Sequence, residues 1–220
     1  MHPTSKFHWT DRDELLEFVG ARAFATIVAA LDGRYAVAQA PLLIDEDRVL
    51  LHLSRANPIA KAMPLRVVAI VDGPDAYVSP DWYASEPTGE QVPGVRQGAN
   101  SLHGALGRPE QVPTWNYVAV EIEGKLASTD DAMLRTILER TSAEFERRIP
   151  DKRPWTIDKL TPGAFAAMSR GIVGATLSLD SLRGTRKLSQ NKPDAARAGV
   201  RDALAASSDE IARALGRLIR

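Results

Sequence analysis

Short apolar segments separated by tight turns dominate the first third of this chain and limit the folds open to it. Residues 23–31 form a near-continuous apolar run, and Asp32-Gly33 follows it as a strong hairpin signal. Closely spaced strands with tight turns are typical of an antiparallel barrel or sandwich. Further strands are predicted over 35–44, 49–53, 66–71 (ended by Asp72-Gly73-Pro74), 114–126 and 171–179.

Helices are predicted between and after these strands, so the expected class is α+β, mainly β. Their expected N-caps are Thr10, Asn57, Thr129 or Asp130, Thr161 (before Pro162) and Ser207 in a capping box with Glu210. Composition shifts nowhere sharply enough to define a linker, which favours one domain over 1–220 with helices at about 193–220. Residues 84–111 are rich in glycine and proline and predict a long surface loop.

Charge and composition exclude several classes of protein. The chain has 28 basic and 28 acidic residues and a formal net charge of zero, which counts against DNA binding held mainly by phosphate contacts. It has no cysteine, so disulfides and cysteine-based zinc sites are excluded, and no metal site is expected. The sequence contains no long uncharged apolar run of the kind that forms a signal peptide or a membrane span. A cytoplasmic protein is therefore expected.

The most informative segment for chemistry is 54–61, where a strand end runs into a short helix. Such a place offers unpaired backbone N–H groups to an anion. Ser54, Arg55 and Lys61 add a hydroxyl, a guanidinium and an ammonium group that could clamp a terminal phosphate. An ordinary turn with Ser54 or Asn57 as a helix cap explains the same residues equally well.

Three other features allow both a structural and a functional interpretation. His52, on an apolar strand, is more typical of a hydrogen-bonded packing residue than of a metal ligand. Two aromatic clusters, 73–83 and 114–117, suit either edge packing or an interface that takes a flat ligand. The basic run from Arg183 to Lys192 predicts a solvated turn or a contact to an acidic ligand.

Taken together, these segments resemble the PaiB-like family of FMN-binding negative transcriptional regulators. They occur in the family order and span nearly the whole chain. The matching stretches are 24–28, 40–45, 52–58, 73–83, 112–120, 171–174 and 187–192. The stretch between Tyr83 and Val112 is longer than the family pattern and is expected to form a flap near the cleft.

The resemblance implies an antiparallel split β-barrel of the pyridoxamine-phosphate-oxidase type, acting as a homodimer with FMN between the subunits. In that arrangement the phosphate is held by the turn from Ser54 to Lys61. Backbone near Gln39, Pro41 and Leu42 would face the isoalloxazine ring. The cofactor-binding residues implied are Gln39, Pro41, Leu42, His52, Ser54, Arg55, Ala56, Asn57 and Lys61, with Trp115, Asn116, Tyr117, Lys187 and Gln190 from the partner chain.

Three functions remain open from the sequence. The family name implies a regulator, acting on DNA directly or through a partner protein, although no helix-turn-helix is evident. A flavin-dependent oxidoreductase acting on a small molecule would share the fold, with chemistry that belongs to the cofactor. A split barrel that has lost its flavin is the third, and no catalytic residue is identified.

Overall fold

A computed structural model describes residues 2–83 and 111–220 of the chain. The loop predicted over 84–111 therefore lies outside the described residues except for Gln111. The helices are α1 (Arg12–Arg22), α2 (Pro58–Ala62), α3 (Asp131–Arg147), α4 (Ala164–Ser169), α5 (Asp194–Ala205) and α6 (Glu210–Gly216). The strands are β1 (His8–Trp9), β2 (Phe24–Leu31), β3 (Arg34–Pro41), β4 (Leu43–Asp45), β5 (Arg48–Ser54), β6 (Leu65–Val78), β7 (Thr114–Ser128), β8 (Ile172–Ser178) and β9 (Ser181–Lys187).

These nine strands form one antiparallel sheet whose main path is β3-β2-β6-β7-β8-β5-β4. Strand β9 pairs with β7 and with β1 off this path. Within the described residues the path has two ends, β3 and β4, so the sheet is not closed. The predicted α+β class is confirmed, and β3 is left with one edge that no described strand of this path covers.

Local signals placed some helix boundaries correctly and others one or two residues away. Asn57 and Asp130 are the N-caps of α2 and α3, as predicted, and each side chain accepts a backbone N–H. Helix α1 is capped by Asp11 and not by Thr10, because the Asp11 carboxylate accepts from the backbone of Glu14 at 3.0 Å. Asp209 similarly replaces Ser207 as the cap of α6. The cap of α4 is Gly163, in a left-handed conformation, and not Thr161.

Strand β6 continues to Val78, past the Gly73-Pro74 pair that was predicted to end it. Its pairing with β2 involves Val68, Ala69 and Ile70. Pro74 lies beyond that pairing, so its missing N–H removes no hydrogen bond to β2. Strand β9 was not predicted, since its basic residues indicated a turn.

The described chain divides into two compact units, and the single domain predicted over 1–220 stays a prediction. The first unit comprises residues 9–72 and 119–184. The second comprises the described parts of 2–8, 73–118 and 185–220. No described helix is long and apolar enough to cross a membrane.

The first unit is built on strands whose two faces differ in burial. Ala25, Ile27 and Ala29 of β2 are buried together with Ala38 and Ala40 of β3. Close approaches of backbone elements hold this unit together. A Cβ on Gly124 of β7 would lie 1.8 Å from the carbonyl oxygen of Ser178, so only glycine fits there.

The second unit has its own apolar core. Helices α5 and α6 pack against each other and bury Val200, Leu204 and Leu215. Phe7, Ala76 and Val78 are buried in the same unit. The helices predicted at about 193–220 are thus α5 and α6.

Candidate functional site

The turn from Ser54 to Lys61 follows β5 in the first unit, and most of its backbone N–H groups are already bonded within the protein. The N–H of Ala56 donates to Ser54 Oγ at 3.3 Å, and that of Asn57 donates to the Ser54 carbonyl at 3.0 Å. Ile59 N–H donates to Asn57 Oδ1 at 2.8 Å, and Lys61 N–H donates to the Asn57 carbonyl at 3.2 Å. The unpaired amides expected from the sequence are therefore absent from these four positions, and an anion here would be held by side chains.

Arg55 connects this turn to the start of β8. Its backbone N–H donates to the Gly171 carbonyl at 2.9 Å. Its guanidinium donates from Nε to the Arg170 carbonyl at 3.2 Å and from Nη2 to the Ile172 carbonyl at 2.8 Å. Part of the guanidinium thus serves to position the turn, while the positive charge is not neutralised by these carbonyls.

Asn57 places the same turn beside β3. Its side-chain amide donates to the backbone carbonyl of Val37 at 3.1 Å. Gln39 lies two residues further along that strand, about 7 Å away at the usual rise per residue. Gln39 is exposed and Pro41 half-buried, whereas Leu42 is a core residue whose N–H donates to the Ala23 carbonyl. The structure therefore brings the predicted phosphate turn and the predicted ring-facing strand together within the first unit.

The charge of this turn fits a phosphate group. Arg55 and Lys61 are both exposed, and across residues 2–83 and 111–220 neither forms an ion pair with a carboxylate. Arg170, which contacts Arg55 through its carbonyl, also has no carboxylate partner in those ranges. Two or three cations without local counter-ions match the charge of a phosphate monoester. Arg170 was not predicted, because it lies 115 residues from Arg55 in the sequence.

His52 occupies a different environment from the exposed turn that follows it. It pairs with Gly174 across β5 and β8, and directly opposed residues share a face of the sheet. A Cβ on Gly174 would contact Thr129 and the α3 residues Leu134 and Ile137, so α3 covers this face. Burial lowers the pKa of His52, and its Nδ1 is buried without a hydrogen-bond partner. Its assignment as a cofactor contact stays a prediction.

An exposed apolar face lies on the side of β3, β2 and β6 that is turned away from the core. Phe24, Tyr35 and Val37 are 53%, 82% and 54% exposed. Val37 opposes Val28 on β2, which in turn opposes Val68 on β6. Contiguous exposed apolar residues of this kind mark interaction surfaces. The sequence carried a signal for this face in the alternation of β3, where Tyr35, Val37 and Gln39 fall on one side.

The predicted partner-side residues belong to the second unit, where strand geometry separates them. Side chains alternate between the two faces of a strand. Trp115 and Tyr117 of β7 therefore lie on one face, and Thr114 and Asn116 on the other. Trp115 is 56% exposed and makes an edge-to-face contact with Tyr77 at a centroid distance of 6.3 Å. The assignment of Trp115, Asn116 and Tyr117 as cofactor contacts stays a prediction.

Asn116 is buried in a hydrogen-bonded pair with Ser189. Its Nδ2 donates to Ser189 Oγ at 2.9 Å. Burial raises the pKa of the nearby Tyr83, and Ser189 partly opposes that rise. Asn116 and Ser189 are 1% and 3% exposed. Asn116 Oδ1 is buried and accepts no hydrogen bond from the described part of the chain. An unsatisfied buried acceptor costs about 1–3 kcal/mol, so this atom calls for an explanation.

Two half-buried lysines border the group formed by Asn116, Ser189 and Tyr83. Lys187 Nζ donates to Thr114 Oγ1 at 2.6 Å, and burial lowers the pKa of Lys187. Lys192 Nζ donates to Gln111 Oε1 at 2.5 Å and lies 5.0 Å from the centre of the Tyr83 ring. The structure thus brings Asn116 and Lys187 onto one face of β7, away from Trp115 and Tyr117.

Gln190 has a local structural role in the turn after β9. Its Oε1 accepts from the N–H of Leu188 at 2.7 Å. Its Nε2 donates to the carbonyls of Arg186 and Lys6, the latter at 3.2 Å. All of its side-chain groups are engaged by its own unit, and its prediction as a cofactor contact is untested. The described residues include no cluster of histidine and carboxylate side chains that could hold a metal ion.

Comparison with known proteins assigns a family to this geometry. A family model described as "Putative FMN-binding domain" matches residues 1–107 and 103–181. The protease synthase and sporulation protein PAI 2 of Bacillus subtilis is 26% identical over 198 residues, which are 87% of this chain and 83% of that protein.

Solved structures share the fold at low sequence identity. An FAD- and heme-binding protein from Mycobacterium smegmatis has a TM-score of 0.54 at 16% identity, covering 88% of this chain and 78% of its own. The flavocytochrome Anf3 from Azotobacter vinelandii has a TM-score of 0.53 at 14% identity, covering 84% and 72%. The predicted split-barrel fold is confirmed by these flavoprotein neighbours, with a sheet that is not closed.

Proposed function

This chain belongs to the family described as "Putative FMN-binding domain", and from that premise we propose that it holds FMN at the turn from Ser54 to Lys61. The observation that supports this site most directly is the pair of unneutralised cations, Arg55 and Lys61, on a turn that Asn57 ties to β3. Bound FMN would supply a redox-active isoalloxazine ring.

The side chains of the turn would contribute to FMN binding in different ways. Lys61 presents an ammonium group with no competing carboxylate in the described chain and would bind the phosphate directly. Arg55 would contribute charge while its guanidinium holds the turn against the carbonyls of Arg170 and Ile172. The ring would lie along the end of β3, near Gln39 and Pro41.

We infer that the functional form is a homodimer, because the apolar face of β3, β2 and β6 begins beside this turn. Val37 belongs to both features: its carbonyl accepts from Asn57, and its side chain is exposed on the apolar face. A second copy that covers Phe24, Tyr35 and Val37 would bury them and form one side of the flavin site. It would contribute Trp115 and Tyr117, which lie on one face of β7.

A regulatory role is the biological function proposed, by analogy with the relative named for protease synthesis and sporulation. The zero net charge favours action through a partner protein or through the redox state of the flavin over direct DNA binding. A cytoplasmic location is part of the same proposal.

Titration of the apoprotein with FMN and with riboflavin, which lacks the phosphate, tests the site. Lys61→Met should weaken FMN binding about tenfold, the effect of roughly one charge-assisted hydrogen bond, and leave riboflavin binding unchanged. Lys125→Met is the matched control, because Lys125 is an exposed lysine of the same unit away from the turn. Equal FMN affinity in wild type and Lys61→Met would refute the phosphate site.

A further inference from the structure

The second face of β7 carries a group of polar residues that the flavin proposal leaves unused. It comprises Tyr83, Asn116, Lys187, Ser189 and Lys192, all in the second unit, and is called here the lysine–tyrosine cluster. Trp115 and Tyr117, on the opposite face, are assigned to the ring by the flavin proposal, on which the separation of the two sites rests.

Among the residues that the structure describes, the cluster holds positive charge without a counter-ion. The hydrogen bonds of the two ammonium groups go to neutral oxygens, the hydroxyl of Thr114 and the side-chain carbonyl of Gln111. Neither Lys187 nor Lys192 pairs with a carboxylate anywhere in the described parts of the chain. Both are half-buried, so water compensates their charge less well than at an open surface.

Tyr83 lies beside Lys192, whose ammonium group is 5.0 Å from the centre of the tyrosine ring. Burial raises the pKa of Tyr83, and the neighbouring Ser189 side chain partly opposes that rise. Ser189 has a left-handed backbone, with φ of 60°, and its carbonyl accepts the N–H of Lys192 at 2.9 Å. An uncommon backbone conformation in a residue other than glycine, here supported by the side-chain hydrogen bond from Asn116, is a feature of functional sites.

Asn116 adds an independent sign that a partner is missing. Its side chain is almost fully buried, its amide nitrogen is engaged by Ser189, and no group in residues 2–83 or 111–220 donates to its oxygen. A ligand carrying an N–H or O–H group would satisfy that oxygen. Burial also lowers the pKa of Lys187, and a bound anion would compensate the desolvation that causes this shift.

We propose that the lysine–tyrosine cluster binds a small organic acid, whose anionic group is held by Lys187, Lys192 and the Tyr83 hydroxyl and whose own hydroxyl or N–H pairs with Asn116. This site would be separate from the flavin site, so the protein would bind a second small molecule. Charge-assisted hydrogen bonds from two ammonium groups and a phenol are suited to a carboxylate or a phosphate.

Calorimetric titration of the full-length, FMN-loaded protein with malate, citrate and inorganic phosphate tests this site. Malate, a hydroxy acid, should bind one molecule per chain and more tightly than phosphate, which separates an organic acid from a simple anion site. Lys187→Met and Lys192→Met should each weaken malate binding at least tenfold, and Tyr83→Phe should weaken it while keeping the aromatic ring. Lys6→Met, an exposed lysine of the same unit, should have no effect.

The FMN affinity of the same variants separates this proposal from the flavin proposal. It should be unchanged in Lys192→Met, because Lys192 is not among the residues that the family resemblance implies as cofactor contacts. If this substitution releases FMN and leaves malate binding intact, the cluster is a flavin contact and the organic-acid site is wrong. Absence of binding by all three probes to the wild type would also overturn it. Because the apoprotein can be titrated too, failure to bind FMN would not obscure the result.

Discussion

The side-chain amide of Asn57 donates to the backbone carbonyl of Val37 at 3.1 Å and so joins the N-terminus of α2 to β3. The same side chain caps α2 through its oxygen, which accepts from Ile59 at 2.8 Å. One residue therefore fixes both the local helix and the position of the proposed phosphate turn against the strand that would face the ring.

Substitutions of Asn57 should separate these two roles. Asn57→Ser keeps a capping oxygen but cannot reach Val37, so stability should change by only a few tenths of a kcal/mol while FMN affinity falls. Asn57→Ala loses the cap as well and should cost about 1 kcal/mol of unfolding free energy. Urea unfolding and FMN titration of both variants measure the two effects. An unchanged FMN affinity in Asn57→Ser would show that the bridge to Val37 does not position the site.

Introducing a charge on the apolar face should break the proposed dimer. Val37→Lys places an ammonium group where a second copy would bury it, and burying an unpaired charge is strongly unfavourable. Sedimentation should then show a monomer with weakened FMN binding. Ile149→Lys is the control, because Ile149 is similarly exposed (49%) but lies outside β3, β2 and β6. A wild-type protein that already sediments as a monomer would contradict the dimer.

Two glycines in the first unit should respond oppositely to alanine. In Gly124→Ala the new methyl would lie 1.8 Å from the Ser178 carbonyl oxygen, and forcing the strands apart should cost about 1–3 kcal/mol. In Gly20→Ala, within α1, nothing lies within 4 Å of the new methyl, and the gain in helix propensity should stabilise by about 0.5–1 kcal/mol. Thermal or urea unfolding of the two variants shows whether each substitution raises or lowers the unfolding free energy. A neutral Gly124→Ala would mean that β7 and β8 are not so closely packed.

His52 should make the fold sensitive to acid. Burial lowers its pKa in the folded state below the ordinary value of 6.5, so the unfolded chain binds the proton more readily. Its favourable contribution is complete above about pH 6.5 and is lost as the pH falls through the folded-state pKa.

The His52→Gln variant, which does not titrate, tests this dependence. Between pH 7.5 and pH 5 its unfolding free energy should fall less than that of the wild type. Urea midpoints at several pH values across this range provide the comparison. If the two proteins lose the same stability, another group causes the acid sensitivity.

Local signals predicted the parts of this fold that local chemistry decides. Asn57-Pro58 and Asp130 marked helix starts because capping needs only residues two or three positions away. The end of β6 was misplaced because its continuation past Pro74 depends on which neighbour the strand pairs with. Register with another strand is set by the whole sheet, and neither Gly73 nor Pro74 carries that information.

The candidate site was also only partly predictable from local sequence. The turn at 54–61 was found from its sequence, but the carbonyls that hold Arg55 come from residues 170 and 172. The lysine–tyrosine cluster joins Tyr83 and Asn116 to residues more than 70 positions further along the chain. Such contacts follow from chain topology, and no local pattern in a single sequence indicates them.

The two-sided character of β7 makes the length of this strand as important as its composition. Trp115 and Tyr117 stand on one side, and Thr114 and Asn116 on the other. Inserting or deleting one residue directly after Tyr117, with the pairing of the rest of β7 unchanged, would turn each of these side chains to the opposite side of the strand. Both proposed ligands would then lose their contacts together. Substitutions in β7 can therefore alter one ligand at a time, whereas changes in its length would affect both.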